Sequence, residues 1–89
     1  MKTIHVIFRG EVQGVGFRKR FAKLATQKGI RGWVKNMDNG TVEADLQGED
    51  TAVMRCIEAA GKLSGSVRVN SAESEITDEE EYPDFRIIR

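Results

Sequence analysis

Three glycines lie within residues 10–16, and an arginine follows at position 18. Closely spaced glycines let consecutive backbone N–H groups point into one concavity, and a helix that begins there adds the partial positive charge of its N-terminus. The planar guanidinium of Arg18 has the geometry to hold two oxygens of a phosphoryl or carboxylate group. The pattern indicates an anion site. Glycines with this spacing also suit a tight turn, and an arginine at a helix start also commonly faces solvent.

The segment differs from the well-known nucleotide loops. It lacks Gly-x-x-x-x-Gly-Lys-Ser/Thr and the dinucleotide pattern Gly-x-Gly-x-x-Gly, and no carboxylate accompanies it that would place magnesium beside a phosphate. No cysteine precedes Arg18 at the spacing of a cysteine-dependent phosphatase, and every serine lies at position 64 or later. The sequence therefore offers no evident covalent nucleophile and no metal site.

Asn36 is the second residue of interest, because it ends a strand-like segment just before the turn signal Asp38-Asn39-Gly40. A single asparagine in this position is usually a turn or edge residue. Pattern alone gives it no chemical role.

The two segments together resemble the signature pair of the acylphosphatase family. Gly10 to Arg18 reads Gly-x-Val-Gln-Gly-Val-Gly-Phe-Arg, then comes Gly32-Trp33-Val34-Lys35-Asn36, and 38–43 reads Asp-Asn-Gly-Thr-Val-Glu. The resemblance is strong from Ile4 to about Leu46, weak beyond it, and returns at Asp84-Phe85-Arg86-Ile87.

This resemblance implies hydrolysis of the carboxyl–phosphate bond of a small-molecule acyl phosphate, without cofactor or metal. By position, the phosphate-binding arginine of the family corresponds to Arg18 and its water-orienting asparagine to Asn36. The implied phosphate-binding loop consists of Gln13, Gly14, Val15, Gly16, Phe17 and Arg18. Glu11 stands where the family often has a basic residue, and Lys19 where an aromatic one often follows the arginine. We expect both departures to alter affinity more than activity.

The elements that would position these residues follow from periodicity. Residues 3–9 alternate as a strand, and Phe17, Phe21, Leu24 and Ala25 have the spacing of a helix that ends near Gly29. Strands at 30–37 and 41–47 form a hairpin, with Thr41, Glu43, Asp45 and Gln47 predicted on its wet face. A second helix follows, with Val53, Cys56, Ile57, Ala60 and Leu63 on its apolar side.

The remainder predicts an extended segment from Val67, a solvated acidic run at 78–81 and a short closing strand at Phe85 and Ile87. The order β-α-β-β-α-β predicts an α+β fold, a ferredoxin-like split βαβ sandwich whose antiparallel sheet carries two helices on one face. Eighty-nine residues suit a single domain, 1–89.

The composition of the chain argues against a membrane-spanning segment. Apolar residues make up 39% and charged residues 31% of the chain, and no apolar run approaches the roughly 20 residues that span a bilayer. We expect a cytoplasmic monomer without a membrane partner. The lone Cys56 predicts a core residue rather than a disulfide, and His5 is expected to be a sheet-face residue, not a catalyst.

Zero net charge conceals an asymmetry: residues 1–35 hold nine Lys/Arg and one acid, and residues 36–89 hold five Lys/Arg and thirteen acids. Such a basic half suits an anionic partner, and β-α-β-β-α-β is also the topology of RNA-recognition domains. Phe8, Phe17 and Phe21 lie on apolar faces, however, which argues against base stacking and against a nucleic-acid partner. A further alternative is a non-hydrolytic or carbamoyl-phosphate-handling domain from a hydrogenase-maturation protein, which the chain length and the absence of zinc-type cysteine pairs disfavour.

Overall fold

A five-stranded sheet forms one layer of the molecule and two helices form the other. The computed structural model describes residues 1–89. In chain order the elements are β1 (Lys2–Glu11), α1 (Phe17–Gln27), β2 (Arg31–Asn36), β3 (Val42–Gln47), α2 (Asp50–Gly61), β4 (Arg68–Asp78) and β5 (Phe85–Ile88). The strands lie in the order β4-β1-β3-β2-β5. The predicted ferredoxin-like split βαβ fold is confirmed.

The sheet is antiparallel except at one edge. β1 pairs antiparallel with β3 and with β4, and β2 pairs antiparallel with β3. The short β5 runs parallel to β2, with Phe85 opposite Gly32 and Ile88 opposite Lys35, so the sheet as a whole is mixed. This pairing brings the last residues of the chain alongside Asn36, at the end of β2.

The core lies between the helices and one face of the sheet. Val6 and Phe8 of β1 are fully buried against Phe17 and Phe21 of α1. The ring centroids of Phe8 lie 5.2 Å from those of Phe17 and 5.3 Å from those of Phe21, in edge-on contacts that favour a fixed packing. The start of α1 is therefore held firmly on the sheet.

Cys56 on α2 is a core residue, as predicted. Its side chain is fully buried. Burial raises the pKa of the Cys56 thiol to about 11, so the thiol stays protonated and unreactive at neutral pH.

The prediction of a wet face on the hairpin was wrong at Thr41, Asp45 and Gln47, which are 5%, 5% and 0% exposed. The segment between β4 and β5 lies over Asp45 and Gln47. Gln47 Nε2 donates to the Glu80 carbonyl at 2.7 Å, and the Tyr82 N–H donates to Gln47 Oε1 at 2.8 Å. The Tyr82 hydroxyl donates to Asp45 Oδ2 at 2.6 Å. Long-range covering of this kind leaves no local periodicity, because the covering residues lie more than 30 positions away.

His5 lies on the same face between two carboxylates. Its Nδ1 is 2.6 Å from Asp45 Oδ1 and its Nε2 is 2.7 Å from Glu43 Oε1. Each ring nitrogen therefore has a carboxylate oxygen as its hydrogen-bond partner, an arrangement that favours the imidazolium form, in which both nitrogens donate. Burial alone lowers the pKa of His5, but the hydrogen bonds to Asp45 and Glu43 outweigh it and the pKa is raised above 6.5. His5 thus links β1 to β3 through two side-chain hydrogen bonds.

We expect this link to make the stability of the fold pH-dependent. Because the pKa of His5 is higher in the folded than in the unfolded chain, its contribution is complete below about pH 6.5 and is lost as pH rises through the folded pKa. The free energy of unfolding of the wild type, relative to His5→Gln, should therefore fall between pH 6 and pH 9. NMR titration of this single histidine, with urea unfolding at both pH values, measures the effect. A pKa at or below 6.5 would contradict it.

Candidate active site

The loop between β1 and α1 contains two glycines in the left-handed conformation, which is common in anion-binding loops. Gly14 and Gly16 have φ angles of 73° and 75°, a left-handed conformation that residues with a Cβ rarely adopt. Gly16 is the N-cap of α1, where no side chain caps the helix and no acidic residue occupies the first turn. The first N–H groups of α1 therefore have no anionic side chain of their own, and an external anion can serve as their acceptor.

The conformation of Gly16 leads to a stability prediction with a matched control. Gly16→Ala is expected to lower the free energy of unfolding by roughly 1–2 kcal/mol, because an L-residue pays for a left-handed φ even in open space. Gly61→Ala, at an open position without a positive φ at the end of α2, should be neutral or stabilising by up to about 1 kcal/mol. Urea unfolding of both variants compares them. An equal change in the free energy of unfolding for the two variants would contradict the strain assigned to Gly16.

Gln13 connects this loop to the β2–β3 hairpin. Its Nε2 donates to the carbonyl oxygens of Met37 at 2.7 Å and Thr41 at 2.8 Å. The hairpin is closed by a hydrogen bond from the Met37 N–H to the same Thr41 carbonyl at 2.9 Å. The side-chain amide of Gln13 is thus engaged with the hairpin, and it fixes the loop relative to the end of β2.

A cleft of about 350 Å³ lies between the start of α1 and the ends of β2 and β5. It brings the predicted residues Gly14, Gly16, Phe17 and Arg18 together with Asn36. Gln13 and Val15 do not line it. The remaining lining residues are Val12, Lys19, Ile87 and Arg89, and of these only Lys19 was expected to influence the site. Ile87 and Arg89 follow from the parallel pairing of β5 with β2, for which the sequence carries no local signal.

Arg18 is positioned by β5. Its Nη1 donates to the Ile88 carbonyl at 3.2 Å, and it takes part in none of the ion pairs of the structure. This contact engages one of the five N–H groups of the guanidinium. The Arg18 side chain is half-buried, and its remaining N–H groups are available to a ligand in the cleft.

Asn36 contributes an unusual feature to the cleft. Its Oδ1 is buried and accepts no hydrogen bond from any protein group. Most buried polar atoms in proteins are paired, because leaving an acceptor without a donor costs about 1–3 kcal/mol. Asn36 lines the cleft, and its amide oxygen is an acceptor that no protein donor occupies.

Two further observations concern metal binding and membrane spanning. The structure holds no group of three or more His, Cys, Asp or Glu side chains arranged to bind a metal ion. Neither helix has the length and apolar composition needed to cross a bilayer.

Fold and cleft together define a ferredoxin-like α+β protein with an anion site at the helix–sheet junction. The acylphosphatase family model matches residues 4–87. An acylphosphatase of Pyrobaculum arsenaticum is 42% identical over 90 residues, which cover 99% of this chain and 95% of that protein. The crystal structure of acylphosphatase from Bacillus subtilis superposes with a TM-score of 0.94 at 32% identity, covering both chains completely.

The chain belongs to the acylphosphatase family, and the predictions of that family and of an enzyme within it are confirmed. The family domain also occurs inside a larger protein: this chain matches 12% of T. kodakarensis HypF, with a TM-score of 0.89 and 26% identity. Coverage of nearly the whole of the smaller relatives favours likeness to the small acylphosphatases.

Proposed function

We propose that the protein hydrolyses the carboxyl–phosphate bond of acyl phosphates by direct attack of water on phosphorus. The predicted loop 13–18 binds the phosphoryl group through the backbone of the residues that line the cleft, Gly14, Gly16 and Phe17, and through the Arg18 guanidinium. Asn36 orients the attacking water. The observation that carries this proposal is the meeting of Asn36, Arg18 and the left-handed glycines Gly14 and Gly16 in the wall of one cleft.

Phosphate binding is supported by two kinds of donor that converge on the cleft. The left-handed glycines and the uncapped start of α1 provide backbone N–H groups, and Arg18 provides a charged fork. These donors are already in place before the substrate arrives. Preorganised donors stabilise the charge that shifts among the phosphoryl oxygens as the bonds change.

The role of Asn36 follows from the hydrogen-bond capacity of its amide. Oδ1 accepts an O–H from a water molecule, which leaves a lone pair of that water free to face phosphorus. The new P–O bond forms as the bond from phosphorus to the acyl oxygen breaks, and the electron pair leaves with the carboxylate. The proton lost by the water passes to a phosphate oxygen. Positioning is the principal catalytic effect.

The chemistry of the substrate explains why so few groups suffice. A carboxylate is a good leaving group with a low pKa, so its departure needs no strong general acid. His5 lies in an ion-paired network on the other face of the sheet and does not line the cleft. We infer that the reaction requires no metal and no cofactor.

The test is hydrolysis of benzoyl phosphate, with and without EDTA, compared with p-nitrophenyl phosphate. We expect EDTA-insensitive hydrolysis of benzoyl phosphate and negligible turnover of the monoester. Loss of activity with the chelator, or equal rates on the two substrates, would overturn the proposed mechanism.

We infer that the protein acts as a cytoplasmic monomer on small-molecule substrates. Phe8, Phe17 and Phe21 are at most 1% exposed, so they are not available to stack on nucleic-acid bases. Analytical ultracentrifugation tests the monomer, and a gel shift with single-stranded RNA at several salt concentrations tests the exclusion of nucleic acid.

A further inference from the structure

The active-site cleft carries more positive charge than one phosphoryl group uses. Besides Arg18, its wall contains Lys19 from the first turn of α1 and Arg89 directly after β5, and it contains no acidic side chain. None of the three cations forms an ion pair within the protein. Unpaired like charges around one cleft favour a ligand with additional negative charge.

The carboxylate side chains nearest to the cleft along the chain do not line it. Asn36 lies between the cleft and a second, shallower cavity of about 300 Å³, and Asp38 lines only that second cavity. Glu11, at the end of β1, lines neither.

The two extra cations reach the cleft from different elements. Ile88 pairs with Lys35, so Arg89 follows alongside Asn36 at the sheet end of the cleft. Lys19 belongs to α1, across the cleft from β2. In-line displacement places the leaving group opposite the attacking water. If Asn36 holds the water at the sheet end, the acyl group extends toward α1 and Lys19.

We propose that Lys19 is a specificity-determining residue that favours acyl phosphates whose acyl part carries a second anionic group. This inference rests on the proposed function, since it uses the water position at Asn36. Its physical basis is the unpaired, exposed ammonium on the leaving-group side. Arg89, beside Asn36, belongs to the phosphoryl side and acts on all acyl phosphates alike.

The test uses two substrates of nearly equal shape, 4-carboxybenzoyl phosphate and 4-methylbenzoyl phosphate. The readout is the ratio of their kcat/KM values, which cancels changes common to both substrates. Lys19→Gln is expected to lower this ratio about threefold, the size of effect that one solvent-exposed ion pair produces. The change should shrink in 0.5 M salt because exposed charges are screened.

Two matched variants test whether the effect on the ratio belongs to Lys19. Lys23→Gln removes the same charge from an exposed position of the same helix outside the cleft, and it should leave the ratio unchanged. Arg89→Gln should lower kcat/KM for both substrates by the same factor. An unchanged ratio in Lys19→Gln, or an equal fall in Lys23→Gln, would overturn the inference while hydrolysis of both substrates upheld the proposed function. If the wild type hydrolyses neither substrate, the proposed function itself fails.

Discussion

Replacing Arg18 with alanine is expected to reduce kcat/KM for benzoyl phosphate by about 100-fold or more. The guanidinium lines the cleft together with Gly14 and Gly16 and is the side-chain donor that we assign to the phosphoryl group. Removing one preorganised donor from a developing charge costs about 3 kcal/mol of transition-state stabilisation. Ground-state binding should weaken as well, so KM and the inhibition constant of inorganic phosphate should both rise.

Steady-state kinetics and the inhibition constant of inorganic phosphate test this prediction, with Arg55→Ala as the control. Arg55 is an exposed arginine of α2 that lines no part of the cleft, so its removal should leave both constants within twofold. Arg18→Lys retains the charge but loses the planar fork and should recover only part of the activity. Near-parental kcat/KM in a folded Arg18→Ala protein would remove Arg18 from the proposed site.

The sequence was sufficient for most of the fold because its elements are amphipathic and local. The alternation of Ile4, Val6 and Phe8 and the helical spacing of Phe17 and Phe21 each predicted the buried face that the structure shows. The bounds of β4 were harder to predict, because it is an exposed edge strand with few apolar residues and hence little periodicity. Its span to Asp78 is fixed by pairing with β1.

The site was predictable only in part, for a related reason. Arg18 and the loop glycines are close in sequence, so their common role follows from local geometry. Asn36 acquired a role through resemblance alone, since nothing in its own segment distinguishes it from a turn residue. Arg89 reaches the cleft through the β2–β5 register. The hydrogen bonds from Gln13 to Met37 and Thr41 likewise join residues that are 24 and 28 positions apart in the chain.

For Asn36→Ala we expect kcat to fall by about 100-fold, the loss that misplacement of a reacting group can produce. The inhibition constant of inorganic phosphate should change little, because the donors that bind phosphate stay in place. The same substitution should not destabilise the fold. It deletes a buried acceptor that has no partner in the protein, so the free energy of unfolding should stay the same or increase.

Asn39→Ala provides the opposite control within the same hairpin. Asn39 Oδ1 accepts hydrogen bonds from the Thr41 N–H at 3.1 Å and from the Thr41 hydroxyl at 2.7 Å, so its loss should lower stability by about 1 kcal/mol. Because Asn39 does not line the cleft, kcat should remain within a few-fold of the parent. Urea unfolding and benzoyl phosphate kinetics on both variants separate the two roles. If Asn36→Ala lost stability and kept its kcat, Asn36 would be a structural turn residue, and the water would need another acceptor.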